Sequence, residues 1–178
     1  MESNVDFFYH ATGDDEEALK RMVSIIKDGA IYSRRLQNLD GGMFNGEDYI
    51  SVAAWDDSVE PNSSDYFMRS SFPGFIMGLP CFILSSDLPA IKCEVRHDSY
   101  DATVERCSQY VDEWHVKDQI PISKVVGVAL PVEDGFFEDE SECIREILYY
   151  ANANNWEVFT SDRDLVNNVR ERMNSKRK

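Results

Sequence analysis

The clearest alternation of hydrophobic and polar positions lies between Gln109 and Leu130, QYVDEWHVKDQIPISKVVGVAL. Trp114 and Val116 alternate with His115 and Lys117, the period of a strand with one buried face. A polar link, Lys117 to Gln119, leads to Ile120-Pro121, and the uncharged run from Val125 to Leu130 predicts a second strand. Shorter runs of β-formers predict strands at Val5 to His10 (VDFFYH), Tyr49 to Ala54 (YISVAA, with Trp55 extending it), Cys81 to Leu84 (CFIL), Ile91 to Arg96 and Trp156 to Thr160 (WEVFT). Ala30-Ile31-Tyr32 is a further short apolar step.

Helical spacing appears elsewhere. Leu19, Met22, Val23 and Ile26 share one face after Thr12-Gly13-Asp14-Asp15. Thr12, Asp14 or Asp15 can cap this helix, and acids suit the positive end of its dipole. Gly29 is the expected stop. Ser141 is the expected cap of a helix over Glu142 to Ala153, with Ile144, Ile147 and Leu148 as its apolar face. A terminal helix is expected from Ser161-Asp162, with Leu165, Val166 and Val169 inward. Ser33 to Asp48 is polar and glycine-rich, with turn pairs at Gly41-Gly42 and Asn45-Gly46. Ser58 to Gly78 gives no clear element. The pattern predicts an α+β protein with about five to seven short strands and three helices.

A chain of 178 residues, 43% of them hydrophobic, suits one domain with a real core. No apolar run reaches the ~18 residues of a transmembrane helix. The acidic start, MESNVDFFYHATGDDEE, lacks a basic-then-apolar leader. These features predict a cytoplasmic protein with no membrane partner, and leave delivery as a secreted effector open. Cys81, Cys93, Cys107 and Cys143 form no C-x-x-C pair, which argues against a zinc knuckle and fits reduced thiols.

Charge changes the picture more. The chain holds 18 basic and 33 acidic residues, a net charge of −15. The tail Arg170 to Lys178 has five basic residues and one acidic, a local +4, so the remainder carries −19. Such a field repels nucleic acid, whose affinity comes largely from neutralised phosphates, and suits a basic protein or a small ligand. The tail reads as a solvated helix end.

Several residues carry candidate chemistry. Glu113, beside Asp112 at a strand edge, is either a tunable acid near a ligand or a solvated surface acid. Arg34-Arg35, the only adjacent arginine pair, either clamps a phosphate or carboxylate or joins an intramolecular ion pair. No His/Cys/Asp cluster suggests a metal. A thiol hydrolase built from one Cys and His10 or His115 would need a stabilised thiolate, and no Cys is expected at a strand-to-helix elbow or a helix N-terminus.

The motifs fall in a telling order: a strand with H-x-T (His10, Thr12), a helix, a glycine, a basic loop, a strand with D-Y-I-S, then E-W-x-V-x-x-x-I-P from Glu113 to Pro121. This order resembles the ADP-ribosyltransferase superfamily. Within it, the chain is most similar to the bacterial toxins that ADP-ribosylate thymidine in DNA. The resemblance covers residues 7 to 130. It implies a split mixed/antiparallel β core with flanking helices over residues 1–132, and a helix-strand-helix extension over 133–178 packed on the same domain.

The resemblance also implies NAD as substrate, with no metal. His10 would hold the adenosine ribose, with Thr12 as its neighbour. Arg34 or Arg35 would contact the NAD phosphates or the reacting ribose. Tyr49 and Ser51 match the second motif, near the nicotinamide. Glu113 would be the catalytic acid. His10 as a core-edge histidine, and Tyr49 and Ser51 as ordinary strand residues, are the bland readings. Breaking the nicotinamide–ribose bond builds positive charge on the ribose, which a nearby carboxylate opposes. YISVAAW is less aromatic than the toxins' second motif and lacks its proline. The chain also lacks their basic DNA-binding surface outside its tail. Charge therefore favours a protein acceptor over nucleic acid. The alternative is an inactive module of the same fold that binds a basic protein. Oligomeric state is not encoded in any motif.

Overall fold

The first strand, β1 (Val5–Ala11), is the centre of the molecule. Phe7, Phe8 and Tyr9 are each at most 2% exposed, so both faces of this strand are covered. A strand buried on both sides reads as an unbroken run of bulky β-formers, which is what VDFFYHA supplies. The computed structural model describes residues 5–13, 16–37, 48–56, 80–92, 113–130, 141–160 and 175. Several expectations lie outside the described residues: the Asp14 and Asp15 caps, the Gly41-Gly42 and Asn45-Gly46 turns, Ser58 to Gly78, Cys93 to Asp112, and the helix from Ser161.

Eight further strands are described: β2 (Ala30–Tyr32), β3 (Tyr49–Asp56), β4 (Cys81–Ser85), β5 (Ala90–Lys92), β6 (Glu113–Lys117), β7 (Gln119–Pro121), β8 (Val125–Leu130) and β9 (Glu157–Thr160). Seven strands form one sheet in the order β5-β6-β3-β1-β4-β8-β9, and β2 and β7 form a second, two-stranded sheet. Every pairing is antiparallel except β8 with β9. The fold is thus a split, mostly antiparallel α+β architecture. β9 (Glu157–Thr160) lies at the edge of the same sheet as β1.

Two helices are described, α1 (Ala18–Asp28) and α2 (Ser141–Ala153). Leu19, Met22, Val23 and Ile26 of α1 pack with Phe8, Ile50, Val52, Phe82, Leu84 and Val116. Each such aliphatic side chain, fully buried, contributes about 1.5–3 kcal/mol. α2 adds Ile147 and Ala151 to the same core. Lys27 of α1 bonds Glu146 of α2 at 2.6 Å. The other sheet face buries Phe7, Tyr9, Ala53, Cys81, Ile83, Ala129 and Phe159.

Four details correct the sequence reading. Helix α1 starts at Ala18, its N-cap position is Glu17, and the Glu17 side chain makes no capping bond. Thr12 is not the cap, because its hydroxyl is used on the Ala18 and Pro80 carbonyls, and no acid lies in the first turn. The link after Lys117 becomes the short strand β7, paired with β2 through Ile31 and Ile120. Leu148 is 39% exposed, and Ala151 takes the inward place expected of it. Finally, Cys143 lies in the first turn of α2, since that helix begins two residues earlier.

Gly29 closes α1 in the left-handed region, at φ 80°, and its amide reaches the Ile25 and Ile26 carbonyls at 3.0 and 3.2 Å. Its own carbonyl accepts from Ile122 at 2.9 Å, so the helix end also pins the turn before β8. A Cβ there meets nothing within 4 Å. The cost of a side chain is therefore conformational alone. Gly29→Ala should lower stability by about 1 kcal/mol in urea unfolding, and Gly29→Asn by less, because Asn tolerates this conformation better.

Candidate active site

The site begins where β1 and β3 part. Their ladder runs from Val5↔Asp56 to Tyr9↔Ala53 and stops. On its other side β1 stays paired with β4 as far as Ala11↔Cys81. One residue past the last β1–β3 pair, a side chain bridges the strands: His10 Nδ1 lies 2.9 Å from the Ser51 carbonyl. A carbonyl only accepts, so Nδ1 carries the proton and Nε2 of the neutral ring is an acceptor. Burial pushes the His10 pKa below its ordinary 6.5, more than the Ser51 bond raises it. His10 is therefore a neutral, oriented ring at neutral pH.

Strand alternation places His10 on the helix-covered face with Phe8, and Tyr49 and Ser51 on the opposite face with Ala53. Past Tyr9↔Ala53 the two strands are no longer paired. Next to β3 lies β6, in the register Tyr49↔Lys117, Ser51↔His115 and Ala53↔Glu113. Glu113 thus opens the strand beside the fork, two residues from the partner of Ser51. Tyr49 stacks on His115, with ring centroids 3.7 Å apart and planes at 14°. This diagonal cross-strand pair is within ordinary reach on one sheet face. Trp114, on the other face of β6, meets Phe8 edge-on at 5.6 Å, and its Nε1 is buried without a partner.

The β1–α1 turn adjoins His10. The Thr12 amide bonds the Pro80 carbonyl at 3.1 Å, and the Thr12 hydroxyl lies 2.9 Å from the Ala18 carbonyl. Arg21, on α1, donates from Nε to the Thr12 carbonyl at 2.7 Å. At the far end of β3, Asp118 adopts φ 60° between β6 and β7. Its amide donates to Asp48 O at 2.7 Å, and its carbonyl accepts from the Ser33 amide at 2.8 Å. Arg35 pairs with its carboxylate at 2.9 Å. The intramolecular reading of the arginine pair thus holds for Arg35. Arg34 is exposed in the same turn.

The structure brings His10, Ser51 and the start of β6 to one fork, and keeps Arg34 and Arg35 on the turn after β2. Sequence reasoning passed over Arg21, His115 as a partner of Tyr49, and Asp118. His115 had a signal, its alternation with Trp114 beside Glu113. Arg21 had none, because it occupies a polar helical position with no local motif.

Thiol chemistry finds no support at Cys81. That thiol is fully buried at the start of β4, and burial pushes its pKa far up. Cys143, although in the first turn of α2, is half-buried against the core. Among the described residues, no group of three His, Cys, Asp or Glu side chains is arranged to hold a metal, and no helix is long and apolar enough to cross a membrane.

The fold matches solved structures of DarT from Thermus sp. 2.9. DarT in complex with carba-NAD+ aligns with a TM-score of 0.52 at 11% identity, over 91% of this chain and 98% of that one. The chain has the fold of an ADP-ribosyltransferase. DarT in complex with ADP-ribosylated single-stranded DNA aligns with a TM-score of 0.47 at 12% identity, over 90% and 95% of the two chains. A scan against protein-family models finds no match, and a search of curated proteins finds none. In this ADP-ribosyltransferase fold, the fork holding His10 lies at the middle of the sheet.

The His10 geometry carries a pH dependence. Its folded pKa lies below 6.5, so the unfolded chain takes up the proton first. The stability it contributes is complete above pH 6.5 and is lost as pH falls through the lower folded value. His10→Gln should remove this component. Urea unfolding between pH 7.5 and 5 should show a smaller loss of stability in the variant than in the wild type.

Proposed function

We propose that the chain is an NAD-dependent mono-ADP-ribosyltransferase, or an NAD glycohydrolase of the same fold, that cleaves the nicotinamide–ribose bond. The observation that supports this most is the fork. His10 bridges β1 and β3 there, and β6, opened by Glu113, lies beside it. The complex of DarT with carba-NAD+ supports the ligand class.

In this reading, His10 Nε2 accepts a hydroxyl proton of the adenosine ribose. Thr12, its hydroxyl and amide both used on backbone carbonyls, shapes the adjoining turn. Tyr49, held against His115, lies by the nicotinamide with Ser51 beside it. The ionised carboxylate of Glu113 opposes positive charge developing on the ribose and hydrogen-bonds its 2′-hydroxyl. Arg34 and Arg35 meet the diphosphate or the reacting ribose. Arg35 gives up its bond to Asp118 to do so. Both partners are about half-exposed, so exchanging one anion for another costs little. The leaving nicotinamide is neutral, so no acid is needed to expel it. The acceptor is a protein side chain in this proposal, because a net charge of −15 opposes approach to nucleic acid. In the glycohydrolase form, water takes the acceptor's place.

The test compares wild type with Glu113→Gln. Both should bind NAD in calorimetric titration. Nicotinamide release should fall on the order of 10²- to 10³-fold in the variant, as for loss of one charge-stabilising group. With labelled NAD, label should appear on protein rather than on oligonucleotide. A wild type that neither binds millimolar NAD nor releases nicotinamide would remove the enzymatic reading and leave an acidic interaction module of this fold.

A further inference from the structure

We infer that Arg21 is a positioning residue for the NAD site, holding the β1–α1 turn through the Thr12 carbonyl and the open face of Gly13. What the turn presents rests on the function proposed above. The hydrogen bond itself does not.

Three of the bonds that hold this turn matter here. The Thr12 amide reaches Pro80 O at 3.1 Å, the Thr12 hydroxyl reaches Ala18 O at 2.9 Å, and Arg21 Nε reaches Thr12 O at 2.7 Å. The first two are neutral. The third is charge-assisted, and the shortest, so it is the strongest of the three. It is also the bond of the three that is made to the Thr12 carbonyl, one turn further along α1 than Ala18.

Gly13 makes this possible. It stands at φ 130°, where L side chains rarely go, and a Cβ there would collide with Nη2 of Arg21 and lie 3.2 Å from Cζ. The guanidinium therefore lies directly against a residue that has no side chain. Burial of Leu19 and Met22 fixes where α1 lies, and with it the place from which Arg21 reaches back. A lysine keeps the charge but has neither the planar group nor the fixed donor direction. Thr12 is two residues from His10, whose ring sits 2.9 Å from Ser51 O. Loosening the turn shifts that ring relative to β3, and a displacement of about 1 Å in a binding group costs up to about 100-fold.

The experiment measures NAD affinity and nicotinamide release for wild type, Arg21→Ala, Arg21→Lys and Lys20→Ala. Hydrogen exchange of residues 9–13 is followed alongside. Lys20 is the matched control, a cation one position away on the same helix, paired with Glu17 at 2.8 Å. Arg21→Ala should bind NAD about 10- to 100-fold more weakly, with KM raised and kcat kept. Exchange at Thr12 and Gly13 should quicken. Arg21→Lys should recover only part of the affinity, and Lys20→Ala should match wild type. Wild-type affinity in Arg21→Ala overturns the inference. An equal loss in Lys20→Ala also overturns it, since helix charge alone would then be the cause. If wild type does not bind NAD, the proposed function fails and exchange alone judges Arg21: unchanged protection of Thr12 and Gly13 overturns its role, and faster exchange sustains it. If Arg21→Ala does not fold, Arg21→Lys carries the same readouts.

Discussion

β1 has to satisfy hydrogen bonds on both edges and burial on both faces. The two edges do not end together. Toward β4 the pairing continues to Ala11, and the Thr12–Pro80 bond extends it by one more residue. Toward β3 it ends at Tyr9. A ladder that stops on one side leaves backbone groups to be met by something else, since buried carbonyls are rarely left unpaired. His10 meets one of them. The same contact that closes the gap also orients the ring and, with burial, keeps it neutral. Structure and candidate chemistry therefore share one bond.

The electrostatics follow from the acidic composition. Ion pairs of the described residues include Lys20–Glu17, Lys27–Glu146, Arg35–Asp118 and Lys124–Asp87. These groups are between about a third and two-thirds exposed, and each pair is worth little in water. Lys124 holds the Asp87 carboxyl below its ordinary range, which reflects a good local bond rather than a large stability term. Arg21 differs because its bond is to a backbone carbonyl in a turn. Asp118 differs because its backbone, more than its charge, organises the structure. Its amide and carbonyl tie Asp48 and Ser33 together, joining the end of β2 and the start of β3 to the β6–β7 corner. The two sheets are linked there as well as through the core.

Most of the fold could be read from local pattern. VDFFYHA, CFILS and VVGVAL are apolar, β-rich runs, and each became a strand. Leu19, Met22, Val23 and Ile26 became the buried face of α1, and Gly29 its left-handed stop. Gln119–Pro121 was not legible, because three residues carry no period and Lys117 to Gln119 reads as a polar link. Its proline is tolerated because a two-stranded sheet consists only of edges. The start of α1 was misjudged for a different reason. Thr12 looks like a cap in sequence, but the fold supplies two carbonyls that its hydroxyl meets instead. His10, Tyr49 and Ser51 stood out through motifs, and the structure sets His10 against the Ser51 carbonyl and Tyr49 on His115. Arg21 and Asp118 act through backbone bonds across sequence gaps, and no spacing rule points to them.

The placement of the motifs bears on whether they belong together. H-x-T, Y-x-S and E-W-H are each short enough to occur without meaning. Nothing in their sequence order requires them to be neighbours, since long stretches of chain separate them. Yet they fall on β1, β3 and β6, three strands adjacent in the sheet. Of the seven strands, β5, β4, β8 and β9 carry none of them. The register then sets Ser51 opposite His115 and Ala53 opposite Glu113, while His10 reaches the Ser51 carbonyl from the other side. Unrelated motifs would have no reason to fall on three consecutive strands of the sheet. At 11% identity the likeness to DarT shows the fold alone, and the proposal of an NAD site is supported by where the strands place these motifs.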